Sequence, residues 1–166
     1  MNKKRFVLVI LVSQILQATI LSRLEILGAS PNINIPLTIV LAIFYGPVWA
    51  GYTGLGLGLL EDIMFAPVLG VQALIYFLLG SLVGKSMKNT ANRLPTGLLV
   101  TVLATLFRWL ISSLIYLVLR IPFTYIHYWK GPLLAECLLN GILYLLVLFA
   151  LSRAIPSRPI RKFTGL

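Results

Sequence analysis

Few side chains in this 166-residue sequence could carry chemistry: four carboxylates (Glu25, Glu61, Asp62 and Glu136), one histidine (His127) and one cysteine (Cys137). Glu61 and Asp62 are neighbours, which on a helix sets them about 100° apart, so they do not face each other as a general acid and base. His127 has no carboxylate near it in sequence and no second histidine to share a metal. A lone cysteine excludes an intrachain disulfide and argues against Cys-ligated zinc. Neither a phosphate-cradling glycine loop, nor a dinucleotide fingerprint, nor a nucleophile elbow occurs. These residues predict a protein that is not an enzyme and takes no metal or cofactor.

The most ordered pattern surrounds Asp62. In GPVWAGYTGLGLGLLEDIMFA, the residues Gly46, Ala50, Gly54, Gly58, Asp62 and Ala66 recur at four-residue intervals. On a helix such a row is a ridge almost free of side chain, against which another backbone can lie closely. Small residues play this part where helices associate in lipid, and a carboxylate at the end of the row is a costly group that needs a reason.

The composition places these helices in a membrane. Hydrophobic residues make up 59% of the chain and charged residues 11%, against roughly 25% charged in a soluble domain. A single integral membrane domain, residues 1–166, is expected. Six apolar segments emerge as spans: 6–22, 35–45, 50–66, 68–84, 96–119 and 131–152. The first resembles a secretory signal, but no convincing cleavage site follows, and it is read as a retained span. Gly46-Pro47 divides the second from the third. The second is short for a crossing, which takes ~20 residues, so a tilted or partly re-entrant segment stays open.

Charge tests the count. Of 14 basic residues, six crossings with a cytoplasmic N-terminus put Lys3, Lys4, Arg5, Lys85, Lys88, Arg93, Arg153, Arg158, Arg161 and Lys162 inside. Only Arg23, Arg120 and Lys130 fall outside, as the positive-inside rule requires. Both termini are then cytoplasmic. The net charge of +10 is thus an orientation signal that also meets anionic membrane lipids, and it does not indicate nucleic acid.

Arg108 would lie near mid-membrane, where a charge costs at least ~2.5–3.5 kcal/mol, and it should have a partner. Thr101, Thr105, Arg108 and Ser112 share one stripe, and Glu136, Asn140 and Tyr144 another. The expected arrangement is a polar node of Asp62, Arg108, Glu136 and Asn140 in the outer half of a helical bundle. Such a node could fix packing, line a proton or substrate pathway, or meet a partner helix. Ser13, Gln14 and Gln17, and the row Gln72, Tyr76, Gly80 and Gly84, read as interhelical contacts. Phe123, Tyr125, Tyr128 and Trp129 suit a membrane interface.

Residues 36–84 also resemble the MreD family of bacterial rod shape-determining membrane proteins. The features that carry this are the repeated glycines, Gly-Leu-Leu-x-Asp at Gly58 to Asp62, Leu69-Gly70, Ala73-Leu74, and Pro36 opening the preceding span. Leu37 stands where that pattern has an acidic residue, so no role for such an acid is carried over. The resemblance implies an all-α six-transmembrane-helix bundle, similar to the substrate-binding component of energy-coupling-factor transporters. It further implies a non-enzymatic subunit of the cell-elongation (Rod) complex. Such a subunit partners MreC directly and, through the complex, RodA, a class B penicillin-binding protein and MreB. Gly54, Gly58 and Asp62 would build either the core or the MreC-binding surface. The alternative reading is the substrate-binding membrane component of a vitamin transporter, with an outward cavity lined by groups such as Gln72, Tyr76, Glu136 and Asn140.

Overall fold

The computed structural model describes the backbone of residues 3–87, 93–120 and 132–154. Among these residues there are six α-helices: α1 (Lys3–Thr19), α2 (Asn34–Tyr45), α3 (Pro47–Phe65), α4 (Val71–Met87), α5 (Arg93–Val118) and α6 (Pro132–Ala154), with one 3-10 turn, Leu21–Arg23, after α1. The aromatic group at 123–129, with His127, and the basic residues Lys88, Lys130, Arg158, Arg161 and Lys162 lie outside the described residues.

The helix limits follow local chemistry. Gly46 ends α2 and starts α3 by itself: its N–H donates to the Ala42 carbonyl at 3.0 Å, and its own carbonyl accepts from Ala50 N at 3.2 Å. It does so at φ +82°, a backbone region that side chains rarely enter. Gly46 is thus the turn residue, not a step of the helical ridge, and Pro47 follows at the first helical position, where its missing N–H is not needed. Replacing Gly46 by Ala should lower stability by about 1 kcal/mol, through strain alone, since no neighbour lies within 4 Å of an added Cβ. A denaturant titration in mixed micelles would measure it. α4 begins at Val71, three residues later than the apolar run suggests, because Gly70 takes φ +98°. It continues past Lys85 to Met87, since a cation near a helix C-terminus is favourable.

α2 is the centre of the molecule. Ten of its twelve residues, Asn34 to Ile43, are buried, and it touches each of the other five helices. At 1.5 Å per residue its twelve residues reach only about 18 Å. The segment before it makes up the depth, for Ala29, Pro31 and Asn32 are buried as well. That segment is entered by a tight turn in which Ile26 and Ala29 exchange two hydrogen bonds of 3.0 Å. Leu27 (φ +55°) and Gly28 (φ +77°) form its corner, the geometry that Asn-Gly usually provides.

The most extensive helix–helix contact joins α3 to α4. α1 and α5 are peripheral and present rows of exposed leucine, valine and isoleucine. Two helical stretches, Leu94–Val118 and Pro132–Arg153, are long and apolar enough to cross a membrane by themselves. Helices α1, α2 and α4 are shorter than 18 residues, and α3 is diluted by glycines and two acids. The fold is all-α and membrane-associated.

Candidate functional site: a glycine seam and a buried polar hub

α3 and α4 run antiparallel with their backbones in contact. A Cβ on Gly54 would overlap the carbonyl of Tyr76, and one on Gly58 would overlap the backbone of Ala73. From the other side, a Cβ on Gly80 would strike the carbonyl of Ala50, and one on Gly84 the backbone of Pro47. Ala50, Gly54, Gly58, Gly80 and Gly84 therefore form one seam, in which each turn up α3 meets a turn down α4. Ala50 is completely buried in it. Gly46 flanks the seam's end, near Gly84. Backbones this close gain dispersion and weak Cα–H···O contacts along their whole length.

The same register determines what Asp62 does. One turn beyond Gly58, it meets the first turn of α4, whose amides have no helical acceptor. Its Oδ2 accepts from Gly70 N (2.9 Å) and Ala73 N (3.1 Å), and its Oδ1 from Gln72 N (3.1 Å). A carboxylate is well matched to a helix N-terminus, both as an acceptor and as a negative charge. The expectation that Asp62 joins Arg108 in one node is therefore corrected, because its oxygens cap a neighbouring helix instead. Asp62→Ala should cost about 2 kcal/mol. Asp62→Asn, which keeps one acceptor, should lose less, and unfolding titrations of both variants check the order.

The buried hub is built on Glu61. Turned away from Asp62 by one residue, it reaches the segment that leads into α2. Its Oε1 accepts from Asn32 Nδ2 (2.8 Å), and its Oε2 from Asn34 Nδ2 (2.6 Å) and Tyr76 OH (2.8 Å). Asn32 also donates to Tyr76 OH at 2.8 Å, and its Oδ1 accepts from Asn34 N at 2.9 Å. From there the bonds spread to other helices. Asn32 N donates to Asn140 Oδ1 (2.9 Å), and Asn140 Nδ2 donates to Thr105 Oγ1 (3.1 Å). Gln14 Nε2 of α1 donates to Asn34 Oδ1 and to the Leu57 carbonyl, each at 3.2 Å. Gln17 holds the same segment, accepting from Ile33 N (2.9 Å) and donating to the Pro31 carbonyl (3.2 Å). Every helix contributes to this network. Its buried side-chain atoms have partners except Gln14 Oε1, and in a low-dielectric interior networks of this kind stiffen and specify a fold.

Arg108 pairs with Glu136, joining α5 to α6 in a separate contact. The expected node is thus three arrangements: Asp62 on the α4 terminus, Arg108 with Glu136, and Asn140 in the hub. On α5, Gly97 lies against the Tyr144 ring of α6, where a Cβ would overlap the phenol oxygen. This is a second close helix contact, outside the α3–α4 seam. Sequence reasoning also passed over Asn32 and Asn34, which sit in a Pro-containing stretch that reads as a surface connection. Their signal was two amides inside the uncharged run from Ile26 to Leu60.

A cavity of about 330 Å³ lies above the Arg108–Glu136 pair, walled by Gln72, residues of α5 and α6, and the 25–30 segment. Tyr76 and Asn140, grouped in the transporter-like reading with Gln72 and Glu136, are fully buried in the hub instead. Among the described residues no group of three or more His, Cys, Asp or Glu side chains is placed to hold a metal ion.

No characterised protein and no solved structure matches the chain. A family model described as rod shape-determining protein MreD matches residues 2–154, a stretch that contains all six helices. The chain therefore belongs to the MreD family, whose members are non-enzymatic membrane components of the rod-elongation machinery.

Proposed function

We propose that this chain is a scaffold that binds the single-span protein MreC in the membrane and, through it, gathers RodA, a class B penicillin-binding protein and MreB. Its six helices all cross, with both termini cytoplasmic, in a bundle like that of the energy-coupling-factor substrate-binding components. The distribution of basic residues supports that orientation. The observation that carries the reading is the direction in which the polar groups point. Asp62, Glu61, Tyr76, Asn32, Asn34 and Asn140 bond one another or nearby backbone inside the bundle. The glycine seam is likewise occupied internally, by α4.

What remains for a partner is apolar. Leu99, Leu103, Leu106, Leu110, Leu114 and Leu117 of α5 are all exposed, so association in lipid rests on shape and dispersion between helices. The partner surface is accordingly assigned to α5, and the seam to internal packing. Cysteines placed at Leu103 and Leu110 should crosslink to the MreC span in cells, while one at Gly54 should not. Absence of copurifying MreC would overturn the scaffold reading.

A further inference from the structure

The cavity above the Arg108–Glu136 pair has a property that packing does not require. Gln72 is only 6% exposed, and its Nε2 donates to Ser112 Oγ at 3.5 Å. Its Oε1 has no hydrogen-bond partner, nor has Arg108 Nε, although both atoms are buried. Turning the Gln72 amide over exchanges its ends and still leaves one of them without a partner. Buried polar groups are ordinarily satisfied, and each one that is not costs about 1–3 kcal/mol. Here an acceptor and a donor are left over on residues that line the same cavity.

The surroundings restrict what could satisfy them. Trp109 and Tyr116 contribute aromatic surface to the walls, while Glu25 and Ser30 lie at an exposed edge open to water. The volume of about 330 Å³ is at the small end of metabolite pockets. Two carboxylates, Glu25 and Glu136, line the cavity against one guanidinium, Arg108, so an anion is disfavoured. A carboxamide supplies a carbonyl acceptor and N–H donors on adjacent atoms, the complement of Arg108 Nε and the Gln72 carbonyl. The terminal torsion of Gln72 is soft, so its amide can turn within the wall of the cavity that it lines.

We propose that this cavity binds a small neutral ligand carrying a carboxamide, held between the side chains of Gln72 and Arg108 and flanked by Trp109. The inference is independent of MreC binding, and the two can fail separately.

Trp109 makes it measurable. The full-length chain with Trp49→Phe and Trp129→Phe, in phosphatidylcholine nanodiscs, would be titrated with nicotinamide and with nicotinate, which differ only in amide against carboxylate. Nicotinamide should change Trp109 emission with saturation, and nicotinate should act only linearly, as a collisional quencher. Gln72→Leu should weaken half-saturation by nicotinamide at least about tenfold. Ser112→Leu, which narrows the cavity, should do the same and serves if Gln72→Leu does not fold. Linear quenching by nicotinamide, saturation by nicotinate, or unchanged saturation in a folded Gln72→Leu or Ser112→Leu chain would each overturn the proposal.

Discussion

Glu61→Leu should be the most damaging single substitution in the molecule, with a loss of about 3–5 kcal/mol. The carboxylate accepts from Asn32, Asn34 and Tyr76. An apolar replacement leaves the Tyr76 hydroxyl and the Asn34 amide buried without that acceptor. Single interhelical hydrogen bonds in membranes average only ~0.6 kcal/mol. The effect here is larger because several donors converge on one group and have no water to turn to. Glu61→Gln keeps one oxygen and should lose roughly half as much. Adding Tyr76→Phe to Glu61→Leu removes a stranded hydroxyl, so the double variant should be more stable than the sum of the single ones by about 1 kcal/mol. Unfolding titrations in mixed micelles test all four chains. Additivity of the two substitutions would mean that the hydroxyl and carboxylate are not coupled.

Gly58→Leu should separate α3 from α4. The new side chain would meet the backbone of Ala73 and the carbonyl of Gln72, and backbone cannot step aside as a side chain can. Overpacking commonly costs 1–3 kcal/mol. Opening the seam also withdraws Asp62 from the α4 amides one turn away, so about 4 kcal/mol in total is expected. Gly56 provides the contrast within the same helix. An added Cβ there meets nothing within 4 Å, and Gly56→Leu should be neutral or stabilising by up to about 1 kcal/mol from helix propensity. Comparing the two after graded heating, by the fraction that still elutes as a folded monodisperse peak, separates close packing from helix propensity. Equal behaviour of the two variants would dissociate the seam from stability.

Much of this arrangement was legible because it is written at helical spacing. The four-residue row of Ala50, Gly54 and Gly58 identifies a helix face by itself, and so does the row Gly80, Gly84. The stripe of Thr101, Thr105 and Arg108 likewise indicates which way α5 turns. Glu136 as the partner of Arg108 was one of two carboxylates within reach. The other, Asp62, could not be separated from it by sequence. Its duty depends on the antiparallel register of α3 and α4, a tertiary quantity with no local signature. Glu61 was set aside because it does not face Asp62, yet pointing elsewhere is what brings it to Asn32, Asn34 and Tyr76. The two asparagines were missed for a related reason. A polar segment with prolines reads as a connection in water, and only the depth of α2 shows that it must enter the bundle.

The hydrogen bond from Asn32 N to Asn140 Oδ1 spans 108 positions of the chain. The α3–α4 hairpin, whose contacts are local, can assemble as soon as those helices leave the ribosome. The innermost link of the hub, by contrast, has to wait for α6 to be synthesised. Until α6 arrives, the amide at Asn32 and the hydroxyl at Thr105 lack a member of their chain, so α6 works as a latch. A nascent chain halted before Pro132 should therefore remain an open, protease-sensitive intermediate, and the arrival of α6 becomes the step that locks the bundle shut.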